Sequence, residues 1–334
     1  MPSLPKPRLR RQRGSELVAP TEQRERQPQV ETVQGSGLRW VNIERPTPIE
    51  TAWIEEQFDF HALDLEDVLS RNQRPKIDEY PSYLFIVLHF PVFDRQVGRL
   101  NAGELDIFVG RDFLVTIPNT PLQPVEYLFE RCRQKQELRD QLFSRGSGYL
   151  LYRLIDDSFD YCFPMLRKIG NKLDALEDEI FEGRSEDIVR DISNAKQEII
   201  NFRKVIRPQR PVLRDLEKLE QPFLAPEGGE LEIYFDDIGD SHERIWDMLE
   251  NYKEVVEALE ESNESVISHR VNDILRVLTA ISVIVLPLTL IASIWGMNVG
   301  VPGEGDAEDF YAVCGGMLVV LVGMLAYFRG RGWL

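Results

Sequence analysis

Cysteine is scarce in this chain: Cys132, Cys162 and Cys314 are its three, far apart and with no Cys-x-x-Cys spacing. That argues against a disulfide framework and against a cysteine zinc site. The four histidines, His61, His89, His242 and His269, are scattered and share no metal-ligand spacing. Basic charge is in deficit, 39 Lys and Arg against 56 Asp and Glu for a net of −17, which argues against nucleic acid as a partner. Such a balance suits cations, or simply a solvated acidic surface. There is no Walker A sequence or other Gly-rich phosphate loop, so no nucleotide is expected. No nucleophile–base constellation is evident either, and an enzyme is the least favoured class. The opening "MPSLPKPRLRRQRG" lacks the apolar core of a signal peptide. Residues 1–35 read instead as a disordered basic tail.

Charge is missing altogether from two stretches near the far end. Residues 277–295, "VLTAISVIVLPLTLIASIW", and 310–328, "FYAVCGGMLVVLVGMLAYF", each run for 19 residues without a charged side chain. At 1.5 Å per residue each covers about 29 Å, the thickness of a bilayer's hydrocarbon core. Buried core helices would be shorter and would show a polar face, so both read as membrane spans. Arg270 and Arg276 precede the first, and Arg329 and Arg331 follow the second. The connection 297–309 has no Lys or Arg but contains Glu304, Asp306, Glu308 and Asp309. The positive-inside rule then puts both termini in the cytoplasm and the acidic loop outside.

The first span and its approach carry a seam. Ser268, Asn272, Leu275, Thr279, Ser282, Leu286, Thr289 and Ser293 recur in alternating steps of four and three. A 3.5-residue period keeps such a seam facing a common axis when several copies bundle. Two readings stay open. Hydroxyls serve close helix packing or bond their own backbone in membranes. Alternatively the seam lines a water-filled path, with Leu275, Leu278 and Leu286 as constrictions that gate by dewetting. Two spans cannot enclose a pore alone, so the second reading requires a homo-oligomer. Pro287 is expected to kink the helix, and Gly296 to supply an unusual backbone angle at its end. Asn298 would then present an amide oxygen at the outer mouth. That suits a hydrated divalent cation, because Mg²⁺ gives up its water reluctantly.

Several stretches resemble one family. "PLTLIASIWGMN" (287–298), ending in Gly296–Met297–Asn298, is similar to the signature of the CorA magnesium channels. "NDILRVLT" (272–279) resembles that family's approach to the pore, and "LEDVLSRNQRPKIDEY" (65–80) its N-terminal domain. "YLLYRLID" (149–156) and the terminal "WL" fit as well. The resemblance covers about residues 36–334. It implies a homopentamer in the cytoplasmic membrane whose first span lines the pore and which passes Mg²⁺, with Co²⁺ or Ni²⁺ as further cargo. By the same resemblance Gly296, Met297 and Asn298 form the selectivity filter and Thr289 an inner polar ring. Leu275, Leu278 and Leu286 form the gate, with Asn272 at its cytoplasmic end. Where relatives continue with Met-Pro-Glu-Leu, this chain has "VGVPGEGDAED". Glu304 is the candidate outer carboxylate there, and the loop also resembles the zinc-transporting, ZntB-like branch. A membrane-anchored scaffold that transports nothing is the alternative from another class.

Ahead of the spans, "LRWVNIE" (38–44), "YLFIVLHFPVF" (83–93) and "LDIFVGRDFLVTIP" (105–118) read as strands, and 48–71 as helix. The expected class is an α+β membrane protein. A cytoplasmic α/β domain (36–145) is followed by a long-helix stalk (146–276), the spans 277–296 and 310–328, and a cytoplasmic end (329–334). A new helix start is expected at Ser185, and a break at 221–230. One helix is expected from Glu230 to Trp295, held by packing against copies of itself. Asp236, Asp237 and Asp240 near its start read as a solvated acidic turn favoured by the helix dipole. The resemblance implies more: Asp237 shares a regulatory Mg²⁺ with a neighbouring copy's Asp67, with Glu66 and Asp156 as further ligands.

Overall fold

The computed structural model describes residues 27–70, 73–94, 98–182, 187–219, 221, 223–224, 231–297 and 307–333. The expected helix start at Ser185 lies outside them, as do Asn298 and Glu304. The chain divides into two compact units, one up to Tyr161 together with Val205–His242, the other Cys162–Lys204 with Glu243–Leu334.

The first unit is built on six strands: β1 (Glu31–Gly35), β2 (Leu38–Asn42), β3 (Lys76–Glu79), β4 (Tyr83–Asp94), β5 (Arg99–Gly110) and β6 (Phe113–Pro118). They form one sheet in the order β1-β2-β6-β5-β4-β3. Only β2 and β6 pair in parallel, and the chain between them carries α1 (Pro48–Gln57), α2 (Ala62–Leu69) and the three strands β3 to β5. A two-residue turn joins β1 to β2, with positive φ at Ser36 (49°) and Gly37 (78°), as the twist of a tight hairpin requires. In β4 the stretch from Tyr83 to Leu88 is buried throughout, because both faces of the sheet are covered. Such a strand reads as a continuous apolar run.

Two segments read as single elements are each divided. The stretch 105–118 is the end of β5 and all of β6, joined at Arg111 and Asp112. Gly110 leaves room there, since a Cβ on it would lie 2.4 Å from the Phe113 ring. The helix expected over 48–71 is α1 and α2. A capping box starts α1, Thr47 accepting from the Ile49 amide at 3.3 Å while Glu50 accepts from the Thr47 amide at 3.0 Å. It ends at Phe58 because Phe58 and Phe60 turn inward, stacked on each other at 5.0 Å, with Phe60 4.2 Å from Phe108. These rings join Ile54, Leu65, Val68, Phe85 and Val115 in the core beneath α1 and α2.

The opposite sheet face meets α3 (Gln123–Gln134), α4 (Gln136–Phe143) and α5 (Ser147–Asp160). Trp40 of β2 lies edge-on to Phe129 of α3 at 5.0 Å, and its indole donates to Thr116 at 3.0 Å.

Among the described residues three buried side-chain atoms of this unit lack a hydrogen-bond partner: Asp106 Oδ1, Arg139 Nε and Ser147 Oγ. Asp106 of β5 is 1% exposed and its Oδ1 has no hydrogen-bond partner. Burial, reinforced by the charges of Glu104 and Asp67, holds its carboxyl well above the ordinary range. A carboxyl raised in the folded state binds more protons than in the unfolded chain, so its contribution to stability falls as pH rises above the usual aspartate range. Asp106→Asn is therefore expected to match the wild type near pH 4. It should exceed it by about 1–3 kcal/mol at pH 8, the cost of a buried unpaired group. Thermal unfolding of the purified protein at the two pH values checks this.

The second unit is helical. It contains α6 (Cys162–Glu182), most of α7 (Ile188–Ile206), α9 (Leu231–Trp295) from Glu243 onward, and α10 (Ala307–Gly330). Between α7 and α9, the short helix α8 (Arg210–Glu217) belongs to the first unit, as do the opening turns of α9. Buried residues recur at steps of four and three: Ile169, Leu173, Leu176 and Ile180 on α6, and Ile188, Ile192, Ala195, Ile199 and Phe202 on α7. Ile245, Leu249, Val256 and Leu259 continue the pattern on α9. That spacing produces knobs-into-holes packing. Lys196 bridges α7 to Glu260 at 2.6 Å, and Arg203 pairs with Glu250 while lying over Trp246. At 65 residues α9 would be about 98 Å long if straight. It stays helical through Pro287, whose missing amide deprives the Val283 carbonyl of its partner.

Candidate functional site

Two stretches are long and apolar enough to cross a membrane, one within α9 and one in α10 over Phe310–Gly330. They pack through a small patch in which Ala280, Ile284 and Leu288 of α9 meet Leu321, Met324 and Phe328 of α10. At about 100° per residue, the centre of that patch lies about 180° around α9 from the centre of the seam. The seam thus faces away from the chain's own second span. All eight seam residues are exposed, with Leu275 at 52% and Leu286 at 70%. Leu278 lies at the seam's flank and is 57% exposed.

Three of the seam's five hydroxyls share a local geometry. Thr279 donates to the Leu275 carbonyl at 2.7 Å, Ser282 to Leu278 at 2.9 Å and Thr289 to Val285 at 2.9 Å. Each proton is held one turn back on the same helix, a bond that β-hydroxyl residues commonly make. The oxygen lone pairs remain, so the outward side of each hydroxyl can only accept. Asp273 and Arg276 form an exposed ion pair at 3.1 Å just before the apolar stretch.

Gly296 follows the last helical residue, and its amide still bonds the Ala292 carbonyl at 3.0 Å. The expected unusual backbone angle is not found, for Gly296 is not among the glycines with positive φ. A Cβ there would sit 3.1 Å from the Ala292 carbonyl oxygen, a close approach within the last turn. Met297 is exposed beside it.

The acidic residues fall into two groups within the first unit. Asp156 on α5 is buried and paired with Arg153 at 3.1 Å, while Asp237 on α9 is exposed and accepts from the Tyr152 hydroxyl at 3.2 Å. Burial first, then the charge of Asp160, pushes the Asp156 carboxyl up to about 6, and Asp237 adds to the rise. Asp156 and Asp237 are therefore close enough to repel, as two carboxylates without a cation do.

Asp67 and Glu66 lie on α2, whose start is firmly tied. His61 caps it through Nδ1, and the Tyr83 hydroxyl accepts from the His61 amide at 2.8 Å. Tyr83 and Tyr80 both donate to Asp64, at 2.8 and 3.1 Å. Glu66 is exposed and Asp67 half-buried. The partners of Asp67 are Lys76, at 2.7 Å, and Gln73, at 3.1 Å. Among the described residues no three Asp, Glu, His or Cys side chains are grouped to hold a metal ion. Sequence reasoning missed Lys76, Gln73 and Tyr152, although the first two lie inside the stretch 65–80 and the third inside 149–156.

Comparison with known proteins matches residues 35–330 to the family described as CorA-like Mg²⁺ transporter protein. YfjQ of Bacillus subtilis is 30% identical over 297 residues, covering 88% of this chain and 89% of that protein. The cobalt/magnesium transport protein CorA of Thermotoga maritima is 30% identical over 299 residues, covering 88% and 83%. Among solved structures, the CorA magnesium transporter of Methanocaldococcus jannaschii superposes with a TM-score of 0.78 at 23% identity, covering 89% of this chain and 92% of that one. The sheet-based unit, the long helix and the two apolar helices recur in that fold, and the family match runs across all of them. This chain belongs to the CorA-like Mg²⁺ transporter family, whose members are transporters and not enzymes.

Proposed function

We propose that this CorA-family transporter of divalent cations is a passive channel that admits Mg²⁺ to the cytoplasm and is closed by cytoplasmic Mg²⁺. The observation that carries the reading is the direction of the polar seam, opposite the face that packs on α10. A seam of hydroxyls and an amide turned away from its own partner helix gains little from lipid. It is served when copies bundle around it, and a homopentamer with the first span innermost is the assembly that the family resemblance implies. Lipid then covers the outer face of α10.

In that assembly Asn298 forms the outer filter with Gly296 and Met297, and Glu304 stands in the loop beyond. Thr289 is the inner polar ring, Ser293 and Ser282 continue the path, and Leu286, Leu278 and Leu275 narrow it. Thr279 and Asn272 lie toward the cytoplasmic end. The hydroxyl geometry suits the cargo. Water bound to a cation turns its protons outward, and a wall whose own protons are donated inward accepts them. Mg²⁺ can therefore pass with its shell intact. Inside-negative potential supplies about 4.6 kcal/mol per 100 mV to a divalent cation, so no nucleotide is needed. The positive-inside rule places both termini in the cytoplasm.

Closure follows from linkage. Asp237 of one copy facing Asp67 of the next, with Glu66 and Asp156 nearby, would offer the oxygen donors that Mg²⁺ prefers. An ion that binds the closed arrangement more tightly must favour closure. When it leaves, carboxylate repulsion loosens the ring, and α9 carries the change to the gate.

Flux into proteoliposomes, with Mg²⁺, Co²⁺, Ni²⁺ and Zn²⁺ offered separately and internal Mg²⁺ varied, tests the whole reading. Mg²⁺ uptake driven by potential and suppressed from within is expected. Zn²⁺ flux exceeding Mg²⁺ flux would favour the ZntB-like alternative suggested by "VGVPGEG". No flux of any divalent cation would leave a scaffold.

A further inference from the structure

The Asp67 carboxylate, assigned above to a cation shared between copies, already has a cation from its own chain. Lys76 Nζ lies 2.7 Å from Asp67 Oδ2 and also contacts Asp78. Gln73 Nε2 donates to the other oxygen, Oδ1, at 3.1 Å. Both oxygens are therefore engaged by donors before any metal arrives. The arrangement is built by the fold: α2 is fixed over the sheet through His61, Asp64 and Tyr83, and β3 pairs with β4 so that Lys76 stands opposite Val87. The Lys76 ammonium lies over the Phe85 ring, 5.0 Å from its centroid.

Burial alone would ease the proton from Lys76, but its hydrogen bonds to Asp67 and Asp78 outweigh that and hold it charged. The Lys76 and Asp67 side chains are 31% and 27% exposed, so water reaches the pair and neither partner is locked. The ammonium has another anchor on the same strand, for Asp78 already holds it.

We propose that Lys76 is a resident counter-cation of Asp67, which an incoming divalent cation must displace toward Asp78, so that Lys76 sets the Mg²⁺ concentration at which the Asp67 site fills. This rests on the reading of Asp67 as a regulatory ligand. A divalent cation and an ammonium on one carboxylate repel, and the ion gains the carboxylate only as the ammonium withdraws. Ion pairs with this much solvent access shift an equilibrium by roughly two- to fivefold. In the metal-free state the same lysine mutes the repulsion that Asp67 would exert on a neighbouring copy.

The test is an Mg²⁺ titration of the purified full-length oligomer, read as protection from trypsin and as the rise in thermal midpoint. Lys76→Met is expected to reach half-protection at about two- to fivefold lower Mg²⁺, and Lys76→Arg at the wild-type value. Asp67→Asn should lose the response, and adding Lys76→Met to it should restore nothing. A midpoint unchanged or raised in Lys76→Met, with the Asp67→Asn loss intact, overturns the counter-cation and leaves the Asp67 reading standing. A wild-type response in Asp67→Asn overturns that reading itself. Should Lys76→Met fail to fold, Asp78→Asn gives a second measurement. It removes the competing anchor, so the midpoint should rise, and an unchanged midpoint rejects the proposal.

Discussion

Asn298→Ala is expected to abolish Mg²⁺ uptake by proteoliposomes while leaving the purified oligomer folded. The side chain follows the end of α9 by three residues, just past Gly296, where the apolar span gives way to an acidic loop. In the proposed assembly it contributes one amide to a ring around the axis, and each amide accepts from the water shell of the ion. A net hydrogen bond contributes about 0.5–1.5 kcal/mol, so a ring of five loses about 5 kcal/mol in the variant. That corresponds to three decades or more in occupancy of the mouth. Flux equal to wild type, measured with a Mg²⁺-sensitive dye in the lumen, would reject the filter assignment.

Asp237→Lys is expected to leave uptake running at millimolar internal Mg²⁺, with the inhibition midpoint raised at least tenfold. Asp237 is exposed near the start of α9, and among the described residues its hydrogen-bond partner is the Tyr152 hydroxyl. A carboxylate so lightly held is free to serve a cation, and exchanging it for an ammonium reverses the sign of its field. The opposing Asp67 would not welcome that ammonium as a substitute for the metal, because Lys76 neutralises it already. The closed arrangement would thus lose both its metal and its charge balance. By linkage, an ion that no longer distinguishes closed from open cannot shift the equilibrium between them. Unchanged inhibition in this variant would count against the interface sensor while leaving permeation untouched.

Much of the architecture was legible in the residues themselves. The two spans, the helix from about 230 to Trp295 and the strands around 38–44 and 83–93 follow from hydropathy and period, which are properties of contiguous chain. The heptad seam is likewise a matter of spacing alone. By contrast, β1 (ETVQG) and β3 (KIDE) are short and polar, with no alternation to betray them, and they are strands because β2 and β4 offer them an edge. The divided helix at Phe58–Phe60 likewise answers to Phe108, a partner supplied by another part of the sheet.

The functional residues divide in the same way. That Ser282, Leu286 and Thr289 share one side of a helix is fixed by 3.6 residues per turn. That this side is the one turned from α10 depends on Leu321, Met324 and Phe328, contributed by a separate helix. That Gly296 is small is plain from its letter, whereas its backbone, which is not left-handed, is seen only in the structure. Asp67 could be named from its motif, but the ammonium beside it comes from β3 and reaches it only because α2 lies over that strand. Local order is written in periodicity, while the partner across each face is chosen by packing between distant parts of the chain.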